Sequence, residues 1–336
     1  TSSLSHRGPD DHGFWINQEL KIAIGHRRLS VLDLSSAGHQ PMHSSSSRYV
    51  IAFNGEIYNH LNLRERLDIE SDNSIKWVGH SDTETLLSCF EAWGIEATLK
   101  EISGMFAIAL YDNQHNCLYL IRDRMGEKPL YYGWSGNVFL FGSELKSIKA
   151  FQGFSAEVDR NALALYLKYD YIPEPYSIYK DIKKLTQGSY LKISMDDDGW
   201  SQKCPCSIKR YWSMEDIAKS GKGDNKFNGI DKDAIQKLDE LLSKSVKQQM
   251  ISDVPLGAFL SGGIDSSIVV SLMQKHSKNK IKTFTIGFKE KQYNEAEYAK
   301  KVALYLGTDH TELYITPEQA MDVISRLPKI YDEPFA

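Results

Sequence analysis

Leu260-Ser261-Gly262-Gly263-Ile264-Asp265-Ser266-Ser267 separates two patterns of opposite kind. Before it, Leu256–Leu260 reads as a buried strand; after it, Ser266–His276 reads as a helix. Two glycines in the turn let backbone N–H groups approach an anion closely, and the helix N-terminus adds partial positive charge. Ser261, Ser266 and Ser267 supply donors for phosphate oxygens, and Asp265 supplies a carboxylate for a Mg²⁺ ion that bridges phosphates. The lysine of a Walker loop is missing. A lone Gly-Gly turn is more often a plain connection. The full octapeptide between strand and helix favours a pyrophosphate cradle.

Downstream the alternation is strict. Lys282–Phe288 reads as a strand, Asn294–Leu306 as a helix ended by Gly307, and Thr311–Ile315 as a strand. Thr316-Pro317-Glu318 starts another helix, with Thr as cap and Pro in the first turn. Strand–helix repetition implies a parallel sheet with crossover helices. Upstream, a helix from Asp233 to about Met250 carries Ile235, Leu238, Leu242 and Val246 on one face. Ile217–Lys232 is rich in Gly, Lys, Asn and Asp and reads as a linker.

The front two-thirds is β-rich. Strands are expected at Lys21–Gly25, Tyr49–Phe53, Met105–Tyr111, Cys117–Ile121, Leu130–Trp134, Val138–Phe141 and Ser189–Ile193. Helices are expected at His60–Leu67, Thr83–Trp93 and Arg160–Lys168, and Asp196-Asp197-Asp198-Gly199 as a solvated turn. The expected division is residues 1–213, a linker 214–232, and residues 233–336.

The 336 residues suggest two domains. With 41% hydrophobic and 25% charged residues, disorder and fibrous classes are excluded. A net charge of -4 carries no basic nucleic-acid footprint, so an anion must meet a local site. No apolar run reaches the ~18–20 residues of a membrane span. Four cysteines, Cys89, Cys117, Cys204 and Cys206, fit a reducing, cytoplasmic setting. Cys89 and Cys117 are expected as core thiols. Cys204-Pro205-Cys206 lacks a second pair at zinc spacing and reads as a loop.

Four short front pieces combine polar residues with turns: His6-Arg7-Gly8-Pro9-Asp10, Arg28-Leu29-Ser30-Val31-Leu32-Asp33, Asn54-Gly55-Glu56-Ile57-Tyr58-Asn59 and Ser81-Asp82-Thr83-Glu84. Singly, each is a common turn, strand end or helix cap. Together, in this order, they resemble the glutaminase domain of class II glutamine amidotransferases. The resemblance implies an α+β N-terminal-nucleophile hydrolase sandwich of four layers, αββα. It implies a pocket for free glutamine formed by Arg28, Leu29, Val31, Asn54, Gly55, Glu56 and Asp82. Arg28 offers a planar fork for the carboxylate. Asp82 and the Glu56 region suit the ammonium. The Asn54 side chain and Gly55 N–H form an oxyanion hole. Asn59 supports that geometry, and Arg7 is a brace.

The octapeptide Leu260–Ser267 resembles the PP-loop of ATP pyrophosphatases, an α/β parallel-sheet domain that cleaves ATP between its α and β phosphates. Thr283-Phe284-Thr285-Ile286-Gly287-Phe288 resembles that fold's second strand, where the Ile286 backbone meets adenine; a plain core strand is the alternative. Glutaminase motifs joined to a PP-loop resemble the glutamine-dependent asparagine synthetase family over nearly the whole chain, to Tyr331-Asp332-Glu333-Pro334. The resemblance implies ATP and Mg as ligands, glutamine and aspartate as substrates, no nucleic-acid or membrane partner, and homodimers as a family expectation. Alternatives are an amidotransferase acting on another carboxylate, such as a surface-polysaccharide sugar acid, a β-lactam-synthetase-like enzyme, and a non-catalytic glutamine- or ATP-binding module. The family's nucleophilic cysteine precedes its HRGPD segment, whereas Arg7 here lies six residues after Thr1. The sequence therefore reads as a piece of a longer synthetase, expected to be inactive in glutamine hydrolysis and in synthesis by itself.

Overall fold

The computed structural model describes residues 1–195, 199–202, 204–223, 225–288, 290 and 294–335. The acidic triplet expected as a solvated turn, 196–198, lies outside them. The chain divides into two compact units, Thr1–Asp224 with Tyr331–Ala336, and Asn225–Ile330.

In the first unit the elements are β1 (Asp11–Asn17), β2 (Ile22–Arg28), β3 (Met42–His43), β4 (Tyr49–Ile57), α1 (His60–Glu70), α2 (Asp82–Trp93), α3 (Ile95–Glu101), β5 (Gly104–Asp112) and β6 (Cys117–Arg122). There follow β7 (Tyr131–Ser135), β8 (Val138–Gly142), α4 (Leu145–Lys149), α5 (Arg160–Tyr169), β9 (Ile182–Lys184), β10 (Ser189–Ser194), β11 (Cys206–Arg210) and α6 (Met214–Lys222). A six-stranded antiparallel sheet runs β11-β10-β6-β5-β4-β3; smaller antiparallel sheets are β1-β2 and β8-β7-β9.

The central sheet is buried on both faces, which is why β4 and β5 read as apolar runs without alternation. Ile51, Phe53, Phe106, Ile108 and Leu110 point to one core, which they share with Leu63, Leu67, Leu86 and Phe90 of α1 and α2. Their neighbours Val50, Ala52, Ala107, Ala109 and Tyr111 point to a second core, shared with Ile22, Ile24, Leu130 and Tyr132 of the smaller sheets' side. A third core packs Leu145, Ile148 and Ala162 of α4 and α5 with Ile182, Tyr131 and Leu140. The result is an α+β unit of four layers, helix–sheet–sheet–helix.

Local chemistry starts α2. The Ser81 hydroxyl accepts the Glu84 N–H at 3.2 Å, and Asp82 and Glu84 sit in the positive first turn. Two expectations are corrected here. The segment read as a linker contains α6, whose Ser213 hydroxyl accepts the Asp216 N–H at 3.3 Å. The Cys-Pro-Cys loop ends in strand β11, which starts at Cys206 and pairs with β10. Cys89 and Cys117 are buried, as expected, and burial pushes the Cys89 thiol up to about 12.

The second unit holds α7 (Asp231–Gln248), β12 (Gly257–Phe259), α8 (Ile264–His276), β13 (Lys282–Phe288), α9 (Ala296–Leu306), β14 (Asp309–Ile315), α10 (Pro317–Ile324) and α11 (Leu327–Ile330). Its sheet is parallel throughout, β12-β13-β14, as the strand–helix alternation requires. Its core is small: Leu260, Val270, Ala299 and Ala303. Among the described residues no helix is long and apolar enough to cross a membrane.

Candidate functional site

A pocket of about 600 Å³ opens in the first unit. Alanines make room for it: Ala52, Ala107 and Ala109 line it from the central sheet. The same wall carries Asn54, Gly55 and Glu56 at the end of β4; Arg28, Leu29 and Val31 come from the end of β2 and its following loop, and Asp82 from the start of α2. Arg7 also lines it. Eight sequence-predicted residues thus meet around one cavity.

Arg28 is almost fully buried, at 7% exposure. Its guanidinium donates to the carbonyls of Ser35 at 3.1 Å, Leu32 at 3.2 Å, and Asp33. A guanidinium has five N–H donors, so the loop uses three and leaves two. The loop therefore holds the fork in place before any ligand arrives.

Gly55 has no space for a side chain: a Cβ there would lie 2.1 Å from the Met105 carbonyl oxygen. Gly55 stands opposite Phe106 in the β4–β5 register, and Phe106 spends its N–H and C=O on Asp123. The Gly55 N–H therefore points away from β5. Asn54 Nδ2 donates to the Ser143 hydroxyl at 3.0 Å, which fixes its amide and leaves a second N–H.

Two carboxyl groups share the pocket. Asp82 is 5% exposed and accepts the Ile57 N–H at 2.8 Å. Burial raises it to about 6 against the partial opposition of that hydrogen bond. Glu56 is raised to about 7, by burial first and by the nearby Asp82 charge second. Both departures favour the neutral acids, and a bound cation would reverse them.

Asn59 does not join the pocket. Its side chain donates to the Glu101 carbonyl at 3.0 Å and accepts the Ser103 N–H at 2.8 Å, which ties the start of α1 to the α3–β5 turn. Arg7 lines the pocket and pairs with Glu144.

Sequence reasoning missed His26 and Gln40. His26 Nε2 lies 3.0 Å from the Phe53 carbonyl oxygen; a carbonyl only accepts, so this nitrogen carries the proton. Its Nδ1 is buried without a partner among the described residues, and burial pushes the ring down to about 4, so it is neutral. Gln40 Oε1 accepts the Phe53 N–H at 2.7 Å, and its Nε2 donates to Thr83 at 3.3 Å. These two side chains pin both polar groups of Phe53, the residue before Asn54. Their signal was available only as polar residues beside the motifs.

In the second unit, Ser261–Ser267 joins β12 to α8. Gly262 has φ +80°, and a Cβ there would lie 2.7 Å from the Ala299 nitrogen of α9. Position 262 therefore needs glycine on both counts. The hydroxyls close on the loop: Ser261 and Ser266 stand 2.9 Å apart, and Ser267 donates to the Gly263 carbonyl at 2.6 Å. Asp265 sits exposed in the first turn of α8, and Ile286 is half-exposed in β13. Among the described residues no group of three or more His, Cys, Asp or Glu forms a metal site.

Residues 1–212 match the family model described as a glutamine amidotransferase domain. This chain belongs to that family. Residues 237–336 match the model described as asparagine synthase. Asparagine synthetase [glutamine-hydrolyzing] 1 of Bacillus subtilis (strain 168) is 35% identical over 333 residues, spanning 99% of this chain and 49% of its own length. Asparagine synthetase B [glutamine-hydrolyzing] of Escherichia coli (strain K12) is 30% identical, over 96% of this chain and 51% of its own. The chain thus spans about half the length of these curated relatives. A solved glutamine phosphoribosylpyrophosphate amidotransferase from B. subtilis covers 96% of this chain and 65% of its own at 18% identity, with a TM-score of 0.41, too low to bear on the fold.

Proposed function

We propose that this chain is part of a glutamine-hydrolysing asparagine synthetase. The observation that carries the reading is the meeting of Arg28, Asn54, Gly55, Glu56 and Asp82 around one pocket. Free glutamine presents a carboxylate, an ammonium and a side-chain amide. A remaining Arg28 N–H takes the carboxylate, with the guanidinium charge behind it. Glu56 and Asp82, ionised by the approach of a cation, take the ammonium. The Asn54 amide and Gly55 N–H stabilise the oxyanion that forms when a thiol attacks the amide carbon. Collapse of that intermediate leaves a thioester and releases ammonia; water then gives glutamate. None of the four cysteines lines the pocket, so the attacking thiol is not among the pocket residues.

The second unit supports the other half. Aspartate's β-carboxylate attacks the α-phosphate of ATP and pyrophosphate leaves. Ammonia then attacks the acyl-adenylate, giving asparagine and AMP. Adenylation is required because a carboxylate is a poor electrophile. Opening of the Ser261, Ser266 and Ser267 hydroxyls from their internal bonds turns donors toward phosphate, beside the N-terminus of α8. Asp265 is a single exposed carboxylate, a donor set that suits a Mg²⁺ ion completed by phosphate oxygens and water. Such an ion neutralises phosphate charge when bound. Sparse cysteine supports a cytoplasmic setting.

Calorimetry tests each half. Saturable heat with millimolar glutamine, lost in Arg28→Ala, is the expected result; no heat from the intact chain overturns the glutamine reading. A parallel titration with MgATP is expected to saturate and to weaken in Gly262→Ala. No heat there overturns the synthetase half alone.

A further inference from the structure

The chain leaves α11 of the second unit at Ile330 and returns to the first unit with Tyr331-Asp332-Glu333-Pro334. There two carboxylates enter a groove built for them. Asp332 Oδ2 accepts the Lys146 N–H at 2.8 Å, and its Oδ1 lies 3.4 Å from Lys146 Nζ. Glu333 accepts the Ile178 N–H at 3.2 Å and the Tyr131 hydroxyl at 3.4 Å, and pairs with Lys184 Nζ. The two acidic side chains keep only 10% and 14% of their exposure. Buried carboxylates persist only when paired and hydrogen-bonded, and these are.

A chain of ion pairs links these carboxylates to the glutamine pocket. Lys146 Nζ also binds Glu144 at 2.6 Å, and Glu144 in turn pairs with Arg7, a pocket residue. The Ser147 hydroxyl donates to the Glu144 carbonyl at 2.6 Å, which tightens the turn 143–147. At the head of that turn Ser143 holds the Asn54 amide. One five-residue turn therefore touches Asp332 through Lys146, Arg7 through Glu144, and Asn54 through Ser143.

We propose that Asp332-Glu333 is a clasp that positions the glutamine pocket, with the turn 143–147 as its lever. This rests on the reading of the pocket as a glutamine site. Asp332, Glu333 and Lys146 are positioning residues: they touch no substrate and act through Glu144 and Ser143. When the clasp is seated, Lys146 is shared between Asp332 and Glu144, and the turn is held in the form that presents Asn54 and Arg7. When it is released, Lys146 relaxes onto Glu144, and the Ser143 support of Asn54 loosens. Release of Asp332 is thereby felt at Asn54.

The test uses the full chain, with Asp332→Ala/Glu333→Ala and, as an isosteric control for folding, Asp332→Asn/Glu333→Gln. Nuclear magnetic resonance follows the Lys146 and Ile178 backbone amides and the Asn54 side-chain amide. Both backbone amides are expected to be protected in the intact chain and to lose protection in the alanine variant, and the Asn54 signal is expected to shift in both variants. Glutamine Kd, by calorimetry, is expected to rise about fivefold or more, the lower range for coupled sites. Unchanged protection at Lys146 and Ile178 overturns the clasp. Lost protection with an unmoved Asn54 signal, or a Kd within twofold of the intact chain, overturns the lever. If the intact chain binds no glutamine, the pocket reading fails, and the Asn54 signal alone decides whether the clasp reaches the pocket.

Discussion

The pocket of the first unit and the Ser261–Ser267 loop are built in opposite ways for the ligands proposed for them. In the pocket, ligand groups are buried and already held by neighbours: Arg28 by three loop carbonyls, Asn54 by Ser143, Phe53 by His26 and Gln40. In the loop, the hydroxyls are satisfied locally, by each other and by the Gly263 carbonyl. The pocket has met the ordering cost during folding, whereas the loop would meet it when a phosphate displaced its internal bonds. Preorganisation goes with the larger core: four buried residues support the loop, and two extensive clusters support the pocket.

The largest effect is expected where a prearranged charge is removed. Arg28→Ala deletes the cation proposed to meet the carboxylate and leaves three loop carbonyls without a donor. Glutamine Kd is expected to rise by about thirtyfold or more, the loss for truncating one partner of a buried charge pair. Calorimetry reads it; a change under threefold would break the contrast between the two sites.

Backbone crowding comes next, and it compares the sites directly. Gly55→Ala puts a Cβ against the Met105 carbonyl, and Gly262→Ala puts one against Ala299 N in a left-handed conformation. Each is expected to cost about 1–3 kcal/mol. The first should appear as a lower unfolding midpoint of the first unit with glutamine binding lost, the second as weaker MgATP binding with glutamine unaffected. Cross-effects between the two ligands would show that the sites are not separately built.

The carboxyl pair gives the pocket a pH dependence that the loop lacks. Glu56 near 7 and Asp82 near 6 stand above their usual values. In the empty pocket the folded state therefore binds more protons than the unfolded chain between about pH 4 and 7, and these groups' contribution to stability falls as pH rises through that window. Ammonium binding runs the other way, because it needs the ionised forms. Glutamine affinity is expected to be about tenfold weaker at pH 5 than at pH 8, by calorimetry. A flat profile would remove the ammonium from Glu56 and Asp82.

The smallest stability effect belongs to the exposed loop. Ser261→Ala is expected to shift unfolding by less than about 1 kcal/mol, since its bonds compete with water. Its MgATP affinity is nonetheless expected to fall. An equal loss in both measurements would mean that the loop is as prearranged as the pocket.

Much of this was legible in the residues. β4, β5 and β6 appear as apolar runs and β13 as an alternation, α2 announces its Ser81 cap, and Gly307 ends α9 in a left-handed cap. Other elements carry their reason elsewhere in the chain. β1 exposes Phe14 and Ile16 while its Gly13 is pressed against Gln40 and His39, so its pattern reads as no strand. β11 is exposed along its length and exists because β10 pairs with it. α6 is hidden by Gly and Lys, which suggest a linker. The site followed the same rule. Arg28, Asn54 and Asp82 sit in recognisable pieces; His26 and Gln40 act through the backbone of Phe53, 27 and 13 residues away, and local pattern carries no trace of it.

The two faces of β4 and β5 also guard their own register. One face carries Phe53, Phe106 and Ile108, and the other carries the alanines that open the pocket. A slip by one residue would exchange the faces. Phenylalanine and isoleucine would then occupy the ligand's space, and alanines would leave a void beneath α1 and α2. A misregistered chain would lose its core and its binding site together, so a folded but defective form has no stable place to hide, and cellular quality control and ligand binding would sort the same molecules.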